Sequence, residues 1–359
     1  MGKILIYPYN KSYEPVVAHQ KLIESSFPHT QIEALVSPRG WGLEDDIVDG
    51  SYGVIKVSCD FEAELDKCTM VWFVEDSNLQ LPEDILFDKL HKAIRANKKI
   101  IYTRIKNYSQ YKQAMTLIPK DIKVNINIHK NSNLFNKAMC YKINVPVLIV
   151  FGLDENTDKF EVQMGLREEF ISRGYKVSSI SSRRDSDFLG VHSIPEFMFK
   201  NEICEADKII QYNHYVKEVE LDENPEIIII GIPGGVIQFD SFNHNNYGIM
   251  ASEISNAVPC DCAVMCSPYY QFFNGDYSEV YNDMLNKYGF SVEYCHVAPV
   301  TIDTRTIAEN FIRGFLTIKK DFVKDKVRVY NRDDVLYLGD KSGLEIAVDG
   351  IINKLNSYC

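Results

Sequence analysis

The stretch VPVLIVFGLDENTDKF, residues 145–160, decides the fold of the second half of this chain. Its first part, VPVLIVF, has the length and apolar continuity of a strand covered on both faces of a parallel sheet. A polar turn from Gly152 leads to Lys159, and a helix is expected over 160–173, with Val162, Leu166 and Phe170 at fourfold spacing and Gly174 as its C-cap. Strand, tight turn and a Lys at a helix N-terminus are what a phosphate loop needs, because amides, helix dipole and ammonium then converge on one anion. The standard pattern GxxxxGK[ST] is nevertheless not met. Lys159 stands one residue too far from Gly152, Asp158 occupies the Gly position, and Phe160 replaces the hydroxyl residue that would hold Mg²⁺. Asp154 and Glu155 add further negative charge. The third strand of this half, EIIIIGI, runs into Pro233, Gly234 and Gly235, which permit close backbone approach to a ligand. No acidic residue stands at that strand end, where a working phosphate loop would want one for magnesium; Asp240 lies several residues beyond. From the residues alone the loop binds a nucleotide weakly, binds a different anion, or is a relic, and the losses weigh toward the last.

Strand and helix signals alternate to either side of this loop, which predicts α/β architecture with mostly parallel sheets. In the first half, strands are expected at 3–7, 31–36, 70–74 and 99–102, with helices at 16–26 and 82–97. Ligands of open α/β sheets sit beyond the carboxyl ends of the strands. Pro8, Ser37, Gly40, Trp41, Asp76 and Ser77 therefore mark the candidate cleft of that half, against the plain alternative that they are ordinary loop residues. Residues 119–144, rich in Lys and Asn, read as a connection. Further strands are expected at 177–180, 226–232, 262–266 and 292–297, and a helix at 303–315. The resulting division is a Rossmann-like domain at 1–118, a degenerate P-loop NTPase-like α/β domain at 145–330, and a strand-and-helix tail at 331–359.

Composition narrows the function. The chain has 359 residues, 45% hydrophobic and 25% charged, as globular proteins do. Its net charge of −11 argues against broad nucleic-acid binding, which needs a Lys/Arg face. Neither a signal peptide nor an apolar run long enough to span a bilayer is apparent, so the expectation is a cytoplasmic protein with no membrane partner. The 9 cysteines are scattered and are expected reduced. Cys260, Cys262 and Cys266 would share one face of a strand, too far apart to hold a zinc together, so a buried structural role is expected rather than a metal site. His192 is a candidate catalytic group above the Lys159 loop, weighed against a loop histidine in ordinary hydrogen bonds. The runs Tyr212-Asn213-His214 and 242–247 could line a peptide groove or be solvated loops. His296 reads as buried structure, and adjacency to Cys295 makes no nucleophile pair, because neighbours in a strand face opposite ways. With 21 Tyr and 19 Phe, a homodimer is expected.

The run from Gly152 through DKFEVQMGLREEFISRGYKVSSISSRRDSDFLGVHSIPEFMF, with the later IIIIGIPGGVIQF and NNYGIMASEISNAV, resembles the peptide maturation system proteins of clostridial-type natural-product cassettes. In that family the loop runs closer to G-x-x-x-N-C-G-K-F, with a Gln three residues after the Phe. Gly152, Asn156, Lys159, Phe160 and Gln163 match it, while Thr157 and Asp158 depart. LVSPRGWG and VWFVEDS of the first half are also similar, so the resemblance covers most of the chain. It implies an accessory role in making a ribosomally synthesised, modified peptide, with a Cys-rich precursor peptide and peptide-modifying enzymes as partners. The two-domain layout is more distantly similar to P-loop-like proteins that include an acyl-CoA-dependent N-acetyltransferase acting on a D-amino acid. This second resemblance implies a nucleotide- or CoA-dependent transferase or ligase as the alternative, with Lys159 as its candidate catalytic residue. That family carries an intact GK and an acidic-Gly-Gln-Gly turn, where this chain has Gly231-Ile232-Pro233-Gly234-Gly235.

Overall fold

The computed structural model describes residues 2–76, 80–124, 139–238, 246–269, 277–303, 314–330 and 332–357. Ser77, Asp240, most of the connection and most of the helix expected at 303–315 lie outside them. The chain divides into two units, Met1–Ile128 with Asp185–Gly190, and His129–Arg184 with Val191–Cys359.

In the first unit, β1 (Gly2–Tyr7), β2 (Thr30–Val36), β4 (Gly53–Ser58), β5 (Met70–Phe73) and β6 (Lys99–Tyr102) are parallel, and β3 (Ile47–Gly50) pairs antiparallel with β4. The order β3-β4-β2-β1-β5-β6 is Rossmann-like, with its switch point between β1 and β5. One face is covered by α3 (Phe61–Lys67), α4 (Glu83–Arg95) and α5 (Tyr108–Leu117), through Phe61, Leu65, Leu86, Leu90 and Ala114. On the other face Trp72 is fully buried against the rings of Tyr13 and Phe188. Phe188 belongs to Asp185–Gly190, a return segment that the alternation of strands and helices does not foreshadow. The helix expected at 16–26 is broken into α1 (Glu14–Ala18), a 3₁₀ turn (Gln20–Leu22) and α2 (Ile23–Ser26).

In the second unit, β7 (Val147–Gly152), β8 (Val177–Ile180), β9 (Ile227–Gly235), β10 (Cys262–Pro268), β11 (Val292–Ala298) and β14 (Val335–Leu336) form one parallel sheet, ordered β14-β11-β10-β7-β9-β8. A separate antiparallel pair joins β12 (Val300–Asp303) to β13 (Gly314–Thr317). Residues 314 and 315 are thus strand where a helix was expected. α6 (Lys159–Ser172) and α11 (Lys341–Asn356) cover one face through Val162, Leu166, Phe170, Ala347 and Ile351. α7 (Glu205–Glu223), α8 (Ile249–Ala257), α9 (Tyr277–Tyr288) and α10 (Lys320–Tyr330) cover the other, through Tyr212, Val216, Ile254, Met284 and Val323. Burial on both faces explains why β7 and β10 read as continuous apolar runs. Residues 331–359, expected as a tail, supply the edge strand β14 and the sheet-covering α11. α6 packs closely against α11: at Gly165 a β-carbon would stand 2.8 Å from a Leu344 methyl.

Candidate functional site

One line of register crosses the carboxyl edge of the second sheet. Gly235 pairs with Gly152, Gly152 with Cys266, Cys266 with His296, and His296 with Leu336. The loop rises from the middle of this line. At Gly152 a β-carbon would collide with Thr157 Oγ1 and stand 2.7 Å from the Asp154 carbonyl oxygen and 2.8 Å from Lys159 Cδ, so only glycine lets the turn close. Leu153 donates its amide to the Cys266 carbonyl (2.9 Å), and Val236 donates to the Gly152 carbonyl (3.1 Å), pinning the root to both neighbouring strands. Thr157 is buried and its hydroxyl donates to the Asp154 carbonyl (3.2 Å). Asn156 and Asp158 are left-handed (φ 54° and 55°), a conformation these residue types tolerate.

Asp158 is the N-cap residue of α6, yet its side chain makes no capping hydrogen bond. Lys159 lays its side chain across the loop and donates to the carbonyl of Gly234, itself left-handed at φ 72°. Burial pushes the Lys159 ammonium below the ordinary lysine range, opposed by Cys266, Glu155 and Asp154. Phe160 is buried beneath the helix start, with the Arg183 guanidinium 5.1 Å from its ring centre. Lys159, Gly152, Asn156, Thr157, Phe160, Gly234 and Gly235 are thus brought together, with Pro233 half-buried on the strand end.

Gln163 is placed elsewhere. It is fully buried and its amide donates to the carbonyls of Ile180 (2.8 Å) and Ile229 (3.1 Å), tying β8 to β9. His192 is also not above the loop. It pairs with Ile180, which pairs with Ile230, which pairs with Ile149, so His192 lies three strand positions from β7, about 14 Å across the sheet. Its Nε2 is 2.7 Å from Glu223 Oε1. Burial raises the Glu223 carboxyl, but the hydrogen bonds from His192 and Ser178 outweigh it and hold the group below the usual carboxylate range.

Cys266 and His296 are the residues that sequence reasoning assigned to structure and that the sheet brings to the loop's side. Burial drives the Cys266 thiol well above its ordinary value. His296 is fully buried and its Nδ1 accepts the Leu338 amide (3.0 Å), so the proton of the neutral ring is on Nε2. Nε2 has no hydrogen-bond partner among the described residues and faces Asp158 Oδ2 at 3.9 Å. A usable signal existed: strand parity puts His296 on the α6 face, at the carboxyl end of β11. Cys260 precedes β10 and packs against the opposite core face from Cys262 and Cys266, so the three cysteines do not share a face. Among the described residues no cluster of three or more His, Cys, Asp or Glu could hold a metal. Tyr212, Asn213 and His214 are buried in α7 rather than lining a groove or a solvated loop.

In the first unit the carboxyl edge is occupied by its own side chains. Asp76 takes both Arg104 nitrogens (2.5 and 2.8 Å) and also accepts the Leu81 amide (3.1 Å). Arg104, which sequence reasoning missed, further donates to the Val74 carbonyl (2.7 Å). Across the β1–β5 switch point, Asn10 donates to the Glu75 carbonyl (3.0 Å), while the Tyr13 hydroxyl accepts the Glu75 amide (3.1 Å) and donates to Asp185 (2.6 Å). Ser37 is fully buried at the end of β2, Trp41 packs half-buried on the α3–α5 face, and Gly40 is exposed.

Fold and loop together define an α/β protein whose first unit is Rossmann-like and whose second is P-loop-like. No protein-family model matches the chain, and neither does any curated protein. Among solved structures, a DUF1611 family protein from Anabaena variabilis superposes with a TM-score of 0.62 at 11% identity, covering 98% of this chain and 100% of that one. HypB from Helicobacter pylori (TM-score 0.31, 13% identity, 60% of this chain and 89% of that one) and the signal recognition particle receptor FtsY from Elizabethkingia anophelis (0.29, 11%, 66% and 75%) match more weakly. At 11% identity the DUF1611 likeness shows the fold alone. No helix among the described residues is long and apolar enough to cross a membrane.

Proposed function

We propose that this chain is an accessory protein of peptide maturation that binds a phosphate-bearing ligand at the loop from Gly152 to Phe160 and runs no magnesium-dependent hydrolysis there. The observation that carries anion binding is the start of α6: an N-terminus with no side-chain cap and the Lys159 ammonium lying across the turn. The absence of a hydroxyl at Phe160, and of a carboxylate at Pro233, Gly234 and Gly235, argues against a hydrolase that works as a switch. The peptide-maturation setting rests on the sequence resemblance. With it come a Cys-rich precursor peptide and peptide-modifying enzymes as partners, a cytoplasmic location and a homodimeric state; a monomer mass by light scattering at high concentration refutes the last.

A second reading is a transferase or ligase that uses a nucleotide or CoA at the same loop. The depressed Lys159 favours it, because a buried lysine that sheds its proton more easily can act as a base. Thermal unfolding against ATP, GTP, CoA, acetyl-CoA and the precursor peptide, each with and without Mg²⁺, tests both. Ligand at about 100 times its dissociation constant stabilises by roughly 2.7 kcal/mol, a shift of several degrees. A shift with a phosphate-bearing ligand, independent of Mg²⁺ and lost in Lys159→Ala, is expected. Product formed on the peptide by the chain alone, and abolished in Lys159→Ala, selects the transferase. A shift with peptide alone refutes ligand binding at the loop.

A further inference from the structure

We infer that the loop selects a phosphoryl group that carries a proton, and that Asp158 is the residue that reads it. The inference rests on the anion-binding reading above and explains the departure that most damages the loop's motif. Asp158 brings a carboxylate to the mouth of an anion site, where a fully ionised ligand would be repelled. The side chain is not spent elsewhere: it does not cap α6, and among the described residues no donor is within hydrogen-bond reach of it. Opposite it, 3.9 Å away, the Nε2–H of His296 is aimed at the same space, on a side chain only 1% exposed and with no acceptor. A buried donor without a partner is costly, so this one points to a ligand oxygen.

The two groups together specify what fits between them. One oxygen at about 2.8 Å from both would see them at an angle of roughly 90°, which a hydroxyl can serve by accepting from His296 and donating to Asp158. A P–OH group meets that requirement. Its ionised oxygens face the donors that remain, the Lys159 ammonium and the first amides of α6. Asp158 in its left-handed conformation thus replaces a glycine in shape while adding a demand for a donor. Inorganic phosphate keeps a P–OH at neutral pH, whereas sulfate, of the same size and charge, has none.

The test is calorimetric titration of the full chain at pH 7.5 with inorganic phosphate and with sodium sulfate. The native chain should bind phosphate at least about tenfold more tightly than sulfate, the worth of one charge-assisted hydrogen bond. Asp158→Asn keeps the shape and tolerates the left-handed backbone, and should erase the preference by strengthening sulfate. Asp158→Gly is the second variant and should do the same. His296→Asn keeps an acceptor for the Leu338 amide, is too short to carry an N–H to the position of Nε2, and should weaken phosphate by about tenfold. Equal binding of the two anions by the native chain, or a preference that survives in both Asp158 variants, overturns the inference and leaves anion binding standing. Failure of both anions to bind the native chain, with Lys159→Ala unchanged from it, overturns the anion reading and the inference with it.

Discussion

Replacing Gly231 by Ala tests how tightly β9 and α6 interlock beneath the loop. A β-carbon there would stand 2.5 Å from Gln163 Oε1, 3.1 Å from Gln163 Cδ and 2.9 Å from the Ser182 amide nitrogen. The amide is backbone and does not yield. Gln163 yields only by giving up its bonds to the Ile180 and Ile229 carbonyls in a fully buried site. Overpacking costs about 1–3 kcal/mol and each of the two lost interior hydrogen bonds about 1, which together come to roughly 3–5 kcal/mol. At about 2–4 °C per kcal/mol for a unit of this size, the melting temperature should fall by on the order of 10 °C. Thermal unfolding followed by circular dichroism reads this directly. Adding Gln163→Ala removes the obstructing side chain, so the double variant should lose at least about 1 kcal/mol less than the sum of the two single losses. A fall of less than roughly 2 °C for Gly231→Ala, or strictly additive losses, would show that the contact is not the constraint described.

Three further outcomes are expected. Burial lowers the Lys159 pKa in the native state, so the unfolded chain binds the extra proton; stability contributed by this site rises as pH climbs from the depressed value toward the ordinary lysine range. Lys159→Met should therefore raise the melting temperature at neutral pH and flatten the alkaline part of its pH profile; a lower melting temperature at pH 7 refutes this. Burial pushes the Cys266 and Cys295 thiols up, while Cys140 and Cys204 are exposed, so an aromatic disulfide reagent at pH 8 should label Cys140 and Cys204 in the native protein and Cys266 and Cys295 only after denaturation. Phe188→Ala should cost about 3–5 kcal/mol and red-shift the emission of Trp72, whose ring lies 4.6 Å from that of Phe188; unchanged emission would place the return segment elsewhere.

The parts of the fold legible in the sequence are those set by local apolar runs. β6 falls at the expected residues, and β7, β9 and β10 fall within a residue or three of them, because a strand buried on both faces leaves a continuous hydrophobic signature. What was not legible depends on lateral placement. His192 follows a strand, which suggested a position at the sheet's mouth, but the strand order sets it beyond the far edge strand β8. Gln163 carries the motif spacing expected of a loop residue, yet one further turn of helix lowers it onto the strand carbonyls. The α7 helix was missed because Tyr212, Asn213 and His214 look like surface residues. Their burial is made acceptable by long-range partners, such as the Tyr141 and Ala257 carbonyls that take the Asn213 amide.

The same distinction bears on whether the loop is a relic. By motif it has one residue too many, the wrong residue before the Lys and the wrong one after it. In three dimensions the loop takes two left-handed positions, Asn156 and Asp158, filled by residue types that accept that conformation. Gly152 still permits a turn that no other residue fits, and Lys159 still crosses to Gly234 on the neighbouring strand. The closed turn, the uncapped helix start and the half-buried Lys159 side chain occur together, although desolvating that ammonium lowers stability. Under the anion-binding proposal, the charges at Asp154, Glu155 and Asp158 bear on which ligand the loop takes rather than on whether it takes one. A change of ligand and a decayed loop make different predictions for these charges, and the phosphate-against-sulfate comparison separates the two.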